Sequence, residues 1–288
     1  MIFEQEASIL GLTKFAENVD YGTIVEVGDI NMIICSLQVH KDDPQFQAAG
    51  ISAIAKLALN PKNKAEIAQC GGIEMILASI NQHRHDGCLL ETCAAAVVNL
   101  MSKSTENKSR FGRAGSVAPI LSMMHAHVDQ AGLQVACNRA LMSLSLEEAN
   151  MEQIILLGGV EAILLSLRRH QDNVTLQAAG LAALANLALS DTWRPKAATA
   201  IDLVLSAISA FPDCEPLHIA GLSALSNLAR SECCRLAIAD AGGVEVIAAA
   251  VARHTGTRSV QDAATSALLN ISTRDAAGPR CVGVGGCG

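Results

Sequence analysis

The sequence predicts an all-α chain assembled as a stack of about six similar segments. Three observations carry that prediction: a core chemistry almost without rings, a spacing of about 43 residues between like segments, and apolar residues at helical intervals within each segment. The 288 residues are 50% hydrophobic but only 2% aromatic, so aliphatic and small side chains must form the core. That much apolar material, with 17% charge, excludes a disordered chain. The scarcity of rings argues against β-sandwiches and barrels, and against a stacking platform for single-stranded nucleic acid. A net charge of -7, from 21 basic and 28 acidic residues, disfavours nucleic acid and anionic membranes as partners, because phosphate binding needs a basic surface.

The repeat shows when six stretches are set under one another: FQAAGISAIAKLA from Phe46, LETCAAAVVNLMS from Leu90, QVACNRALMSLSL from Gln134, QAAGLAALANLAL from Gln177, HIAGLSALSNLAR from His218 and QDAATSALLNIST from Gln261. A polar anchor near each end falls at Lys56, Asn99, Ser143, Asn186, Asn227 and Asn270, in steps of 43, 44, 43, 41 and 43. So steady a period means stacked supersecondary blocks.

Within each block the elements follow in order. A helix start is expected near Asp20, Asn63, Asn107, Asn150 and Asp191, whose side chains can accept from free backbone N–H groups. Ile24, Ile67, Phe111 and Ile154 lie four residues on, with Ile238 at that place in the sixth block. A corner follows at Gly28, Gly71, Gly115, Gly158, Thr199 and Gly242, then a second helix with spacings such as Ile73, Ile76 and Leu77. The third helix is longer, with apolar residues two before and one after the anchor, as in Ile54 with Leu57 and Leu184 with Leu187. Six residues before the anchor stand Gly50, Cys93, Cys137, Gly180, Gly221 and Ala264, small enough for helices to approach closely. The array reads as residues 20–60, 61–104, 105–147, 148–190, 191–231 and 232–274. Residues 1–19, with Ile9, Leu12 and Phe15 at apolar offsets, read as a worn third helix of a preceding repeat or a cap. Residues 275–288 read as a Gly-rich tail opening a truncated further repeat, since Gly285 and Gly286 fall 43 residues after Gly242 and Gly243.

A three-helix block of this length, with a glycine between its first two helices and an Asn in an ALxNLA setting, resembles the armadillo repeat over nearly the whole chain. The resemblance implies a right-handed α-solenoid, a superhelix of about six armadillo repeats whose third helices line a concave groove for a peptide or protein partner, with no enzyme activity. In importin-α-type transport adaptors of that family, an Asn ladder holds an extended peptide while a Trp four residues earlier forms lysine slots. Here the ladder carries over to Asn99, Asn186, Asn227 and Asn270 and is broken by Lys56 and Ser143. The Trp places hold Ser52, Ala95, Arg139, Ala182, Ser223 and Ser266, so lysine recognition of that kind is not expected.

The residues expected at the partner-binding groove are Lys56, Asn99, Arg139, Ser143, Asn186, Asn227 and Asn270, with Arg139 the one large charge in its row. The Asn residues have a second reading, as bonds that hold neighbouring repeats together. Trp193, in the irregular Asp191-Thr192-Trp193-Arg194-Pro195 stretch of the fifth repeat, is either a loop anchor for a partner or a ring packed over the disturbed corner. His40, His83, His127, His170 and His254 recur in register at the end of the second helix, where a histidine can bond terminal carbonyls. Their separation by a helix packing distance forbids a shared metal ion, and no metal or cofactor site is expected. Phosphate-loop, HExxH and GxSxG motifs are missing, so no catalytic residues are assigned. Lys103, Lys108, Arg110 and Arg113 form a basic strip, a solvated face or a contact for an acidic partner. Ten cysteines without CxxC pairs, among them Cys35, Cys70, Cys93 and Cys137 in apolar stretches, read as buried reduced thiols of a cytoplasmic or nuclear protein. The expected function is a non-catalytic scaffold for a partner peptide or helix. The alternatives are a structural subunit of a cytoskeletal or ciliary assembly, with end-to-end contacts, and a transport adaptor.

Overall fold

The computed structural model describes residues 27–194 and 197–273, together with Gly11 and Lys14. Among these residues are sixteen helices and no strand. The expectations for residues 1–19, Asp20, Ile24, Arg274 and the tail 275–288 lie outside the described residues. Repeat 1 contributes α1 (Val27–Val39) and α2 (Pro44–Leu57), and repeat 2 contributes α3 (Pro61–Gln69), α4 (Gly72–Gln82) and α5 (Gly87–Met101). Repeat 3 holds α6 (Thr105–Arg113), α7 (Val117–Ala126) and α8 (Ala131–Leu144), and repeat 4 holds α9 (Glu148–Leu156), α10 (Gly159–Arg169) and α11 (Val174–Leu187). Repeat 5 has α12 (Ala198–Ala210) and α13 (Glu215–Leu228), and repeat 6 has α14 (Glu232–Asp240), α15 (Gly243–Arg253) and α16 (Arg258–Ser272). The chain divides into two compact units, Met1–Ala162 and Ile163–Gly288, with the division inside α10. Each is an all-α, solenoid-type stack.

Four corners are built on glycine for a steric reason. Gly71, Gly115, Gly158 and Gly242 have φ of 87°, 74°, 82° and 75°, a region that a β-carbon disfavours. The glycine after three of them serves a different need: a Cβ on Gly72, Gly159 or Gly243 would stand 2.5, 2.4 or 2.4 Å from the Cγ2 of Ile67, Ile154 or Ile238. Gly28 is no such corner, for it lies inside α1. Thr199 lies inside α12, and residues 191–194 form turns and a short tight helical piece instead of a first helix. This repeat is also two residues short, with 41 residues between its anchors against 43 or 44 elsewhere.

The helix starts differ from the sequence reading by one turn. Asn63, Asn107 and Asn150 are the third residues of α3, α6 and α9 and are buried at 0%, 3% and 5% exposure. The caps stand three residues earlier, where Asn60 accepts from the Lys62 N–H at 2.9 Å and Ser104 from the Asn107 N–H at 3.2 Å. Asn107 turns its side chain to the Leu100 carbonyl of the preceding helix, and Asn150 to the Lys108 carbonyl of α6, one repeat back.

In each unit the third helices pack chiefly on one another: α2 on α5 and α5 on α8 in the first, α11 on α13 and α13 on α16 in the second. Ala53, Ala96, Ala140, Ala183, Ala224 and Ala267 are fully buried in these helices. The glycines six before the anchor face the second helix of their own repeat. A Cβ on Gly50 would meet Leu37 at 2.6 Å and one on Gly180 would meet Leu167 at 2.6 Å. Gly221 is closed on two sides, by Ile208 at 2.7 Å and Leu181 of the preceding third helix at 3.4 Å. Gly221→Ala should therefore lower the midpoint of urea unfolding. Overpacking costs about 1–3 kcal/mol, against the roughly 1 kcal/mol that alanine returns in helix propensity. A raised midpoint would mean that this contact is loose.

Candidate functional site

The anchors occupy matching places on consecutive third helices. In the first unit these are Lys56 on α2, Asn99 on α5 and Ser143 on α8; in the second they are Asn186 on α11, Asn227 on α13 and Asn270 on α16. Asn99 donates its Nδ2 hydrogen to the Ala55 carbonyl at 2.9 Å, Asn227 to Ala185 at 2.8 Å and Asn270 to Ser226 at 2.9 Å. Each bond crosses one repeat, to the carbonyl just before the preceding anchor. The amide nitrogens thus hold the stack together, while each Oδ1 keeps its acceptor lone pairs. Lys56 and the Asn residues are half-exposed, whereas Ser143 is buried.

Four residues before the anchors, Ala95, Arg139 and Ser266 are exposed and Ser52, Ala182 and Ser223 partly so. Arg139 makes no hydrogen bond or ion pair with the described residues, which leaves its guanidinium free for an acidic group. Trp193 goes the other way. It is 6% exposed, so the indole fills the disturbed fifth repeat and is not offered to a partner. Beside it, the buried Arg194 donates Nε to the Ala188 carbonyl at 2.9 Å and Nη2 to Leu189 at 2.7 Å, and pairs with Asp191 at 2.7 Å. Asn107 does the same work in repeat 3, donating to the Leu100 carbonyl at 2.9 Å, and Arg235 in repeat 6, donating to Ala229 at 3.3 Å.

A second polar row escaped the sequence reading. Gln47, at 2% exposure, donates from Nε2 to the Leu37 and His40 carbonyls at 2.7 and 3.1 Å, which ties the third helix to the end of the second. Gln134, Gln177 and Gln261 make the same pair of bonds ten and seven residues back. The signal was in plain view, since three of the six aligned stretches open on that Gln and a fourth has it one residue in. In repeat 5 the place belongs to His218, whose Nε2 donates to the Ile208 carbonyl at 3.1 Å, while its buried Nδ1 has no partner.

The in-register histidines also work differently from the expectation. His83, His127 and His254 send Nε2 to the carbonyls of Lys41, Arg84 and Pro212 at 2.7, 2.9 and 2.9 Å. Those carbonyls lie in the turn of the preceding repeat, so these three rings clasp neighbouring turns and do not cap their own helices. A carbonyl can only accept, so Nε2 carries the proton in each. Among the described residues no three His, Cys, Asp or Glu side chains are grouped to hold a metal ion. Cys93 and Cys137 are buried and their thiols are pushed up to about 12, which keeps them un-ionised and unreactive. Cys35, by contrast, is exposed.

No known family model matches the sequence, and no curated protein matches it. Solved structures do. An engineered protein from the Northeast Structural Genomics Consortium matches with a TM-score of 0.74 at 23% identity, over 85% of this chain and 98% of its own. A chain from a study of the phosphorylation switch controlling the interaction between cadherin and beta-catenin matches with a TM-score of 0.74 at 21% identity, over 86% of this chain and 45% of its own. A designed armadillo repeat protein matches with a TM-score of 0.70 at 16% identity, over 84% and 99%. The chain adopts the armadillo-repeat fold, and at these identities the likeness is one of fold.

Asn227→Ala should cost about 0.5–1.5 kcal/mol in chemical unfolding, the net worth of one hydrogen bond, with the helical circular dichroism retained. The acid limb of stability should depend on His218. Burial, and then the charge of His254, lower its pKa below 6.5, so the unfolded chain binds more protons in the interval just under that value. Stability must then fall as pH drops from 6.5 toward the folded-state pKa, and His218→Gln should flatten that fall. Equal slopes in the two proteins would remove His218 as its source.

Proposed function

We propose that the chain is a non-catalytic scaffold that binds a protein partner, a peptide or a helix, on the faces of its third helices. One observation carries this reading. A ring-free row, Ser52, Ala95 and Arg139 in one unit and Ala182, Ser223 and Ser266 in the other, stays open beside Asn side chains whose Oδ1 atoms still accept. Such a surface offers acceptors to backbone or side-chain N–H groups and room for bulky side chains. It lacks the aromatic walls that would grip lysine stems. The occupant we favour is a partner helix, or a segment with large side chains, in place of a threaded lysine-rich peptide. Arg139 supplies a charge for an acidic residue of that partner. The structural neighbours support a binding role of this general kind, one of them coming from work on cadherin and beta-catenin.

The test is a pull-down from native cell extract with the wild-type chain beside Arg139→Ala and Ala95→Trp. The first removes the unpaired charge, and the second fills the open row without disturbing a buried group. The same bands should weaken in both variants, the arginine change costing roughly three- to tenfold in a follow-up affinity measurement, as expected for one partly exposed charge pair. Partners retained unchanged by both would place binding on the loops or ends and not on this face.

A further inference from the structure

We propose that the cavity where α3, α6 and the end of α5 meet is a binding site for one anionic group, a carboxylate or a phosphate, on a side chain of a bound polypeptide. The proposal rests on the scaffold reading for what carries the group and on the cavity's own geometry for the charge it takes. The cavity holds about 350 Å³, and its walls carry Lys64, Lys103 and Arg110 against a single acid, Glu106. Asn99, from the anchor row, forms part of the wall, so a chain lying on the third helices of this unit reaches it. No aromatic side chain lines it, which removes the stacking surface a nucleobase needs.

The cations are poorly satisfied where they stand. Lys64 is 8% exposed, donates to the Ser102 carbonyl and has no ion pair. Its pKa is lowered, first by burial and then by the charge of Lys103, and no carboxylate opposes either effect. Lys103 makes no hydrogen bond or ion pair with the described residues. Arg110 reaches Glu74 only at 3.4 Å. Two ammonium groups held near each other, one of them buried, create a potential that an anion between them relieves. This happens in a protein whose net charge is -7, so general attraction for acidic ligands is not the explanation.

The backbone supplies an independent sign. Lys103 has φ 55°, the one positive value at a non-glycine position among the described residues. It follows the Ser102 C-cap of α5, where glycine or asparagine ordinarily takes the left-handed conformation. At the matching place before the caps of α3 and α9 stand Leu59 and Leu146, both exposed. Neither leucine has a positive φ, so of these three turns only this one takes the conformation a glycine would serve better, and the lysine is held in it against its backbone preference. Strain of this kind gathers at binding sites.

Fluorescein-labelled peptides of equal length test the site by anisotropy: one rich in glutamate, one carrying phosphoserine among glycine and serine, and one neutral glycine-glutamine control. The proteins are the wild-type chain, Lys103→Gly, Lys64→Met and Arg168→Ala, the last removing a charge outside the cavity. At least one anionic peptide should bind and the neutral one should not, and whichever anionic peptide binds tighter identifies the source of the charge. Both lysine variants should weaken binding on the order of tenfold or more, the worth of a charge-assisted bond. Lys103→Gly should melt no lower than wild type, since glycine relieves the strained turn, so its loss cannot be misfolding. Binding weakened no more by the two lysine variants than by Arg168→Ala overturns the cavity and leaves the scaffold reading standing. If no peptide binds, inorganic phosphate and acetate are titrated in ¹⁵N NMR. Shifts at Lys64 and Ser102 to Asn107 that vanish in Lys103→Gly uphold the cavity and remove the scaffold reading for this face, and the absence of such shifts overturns the cavity as well.

Discussion

Every α-helix ends in carbonyl oxygens that no N–H of the same helix can reach, and a chain made of helices of 9 to 15 residues has many such ends for its size. Several rows of polar side chains among the described residues answer that constraint. The Gln47 row ties the end of each second helix to the third. The Asn107, Arg194 and Arg235 side chains cover the ends of the preceding third helices. His83, His127 and His254 take the carbonyls of the turns one repeat back. The Gln bonds join two helices of one repeat and the others reach the preceding repeat, so satisfying the backbone also holds helices and repeats together. Breaking one leaves a buried polar group unpaired, which costs more than the bond itself is worth.

The same constraint separates structural polarity from polarity that is free to do something else. A recurring His or Asn in a sequence looks like a ligand row. Here the Nε2 atoms of His83, His127 and His254 and the amide nitrogens of Asn99, Asn227 and Asn270 are already spent on the fold, while the Oδ1 atoms of those asparagines keep acceptor capacity. Near the third helices, the stack leaves the Arg139 guanidinium, the Lys103 ammonium on its strained turn, and the open row beside the Asn anchors unabsorbed. The functional proposals rest on these, because a group with no structural duty is the one whose chemistry can face a partner.

Much of the fold was legible. The helical segments and the small residues of the third helix follow from hydrophobic spacing and side-chain volume, which are local or strictly periodic properties. Gly71, Gly115, Gly158 and Gly242 were readable as corners because only glycine repeats where φ is positive. Gly28 and Thr199 were misread because register alone does not show that a position has been drawn into a helix. Asn107 and Asn150 were misread as caps because the same side chain that accepts at a helix start can turn inward and donate to a neighbouring helix, and Asn63 because it too is buried in the first turn. The Gln47 row was visible as a recurring letter but not as a clamp, since its two acceptors are backbone atoms that a sequence does not display.

The candidate site was less legible than the fold, for a related reason. The anchor positions could be placed on one helical face by counting, and that much the chain determined unaided: an all-α repeat with a ring-poor, small-residue third helix and no aromatic slots. Tertiary structure alone decided which polar atoms remain free. It buried Trp193 and Ser143, exposed Arg139, engaged the Asn amides, and brought Lys64 and Lys103 from opposite ends of repeat 2 to one cavity. Periodicity is written along one dimension and can be read there, whereas the satisfaction of a donor or a charge depends on what lies across the repeat interface, about 40 residues away in the chain and in direct contact in space.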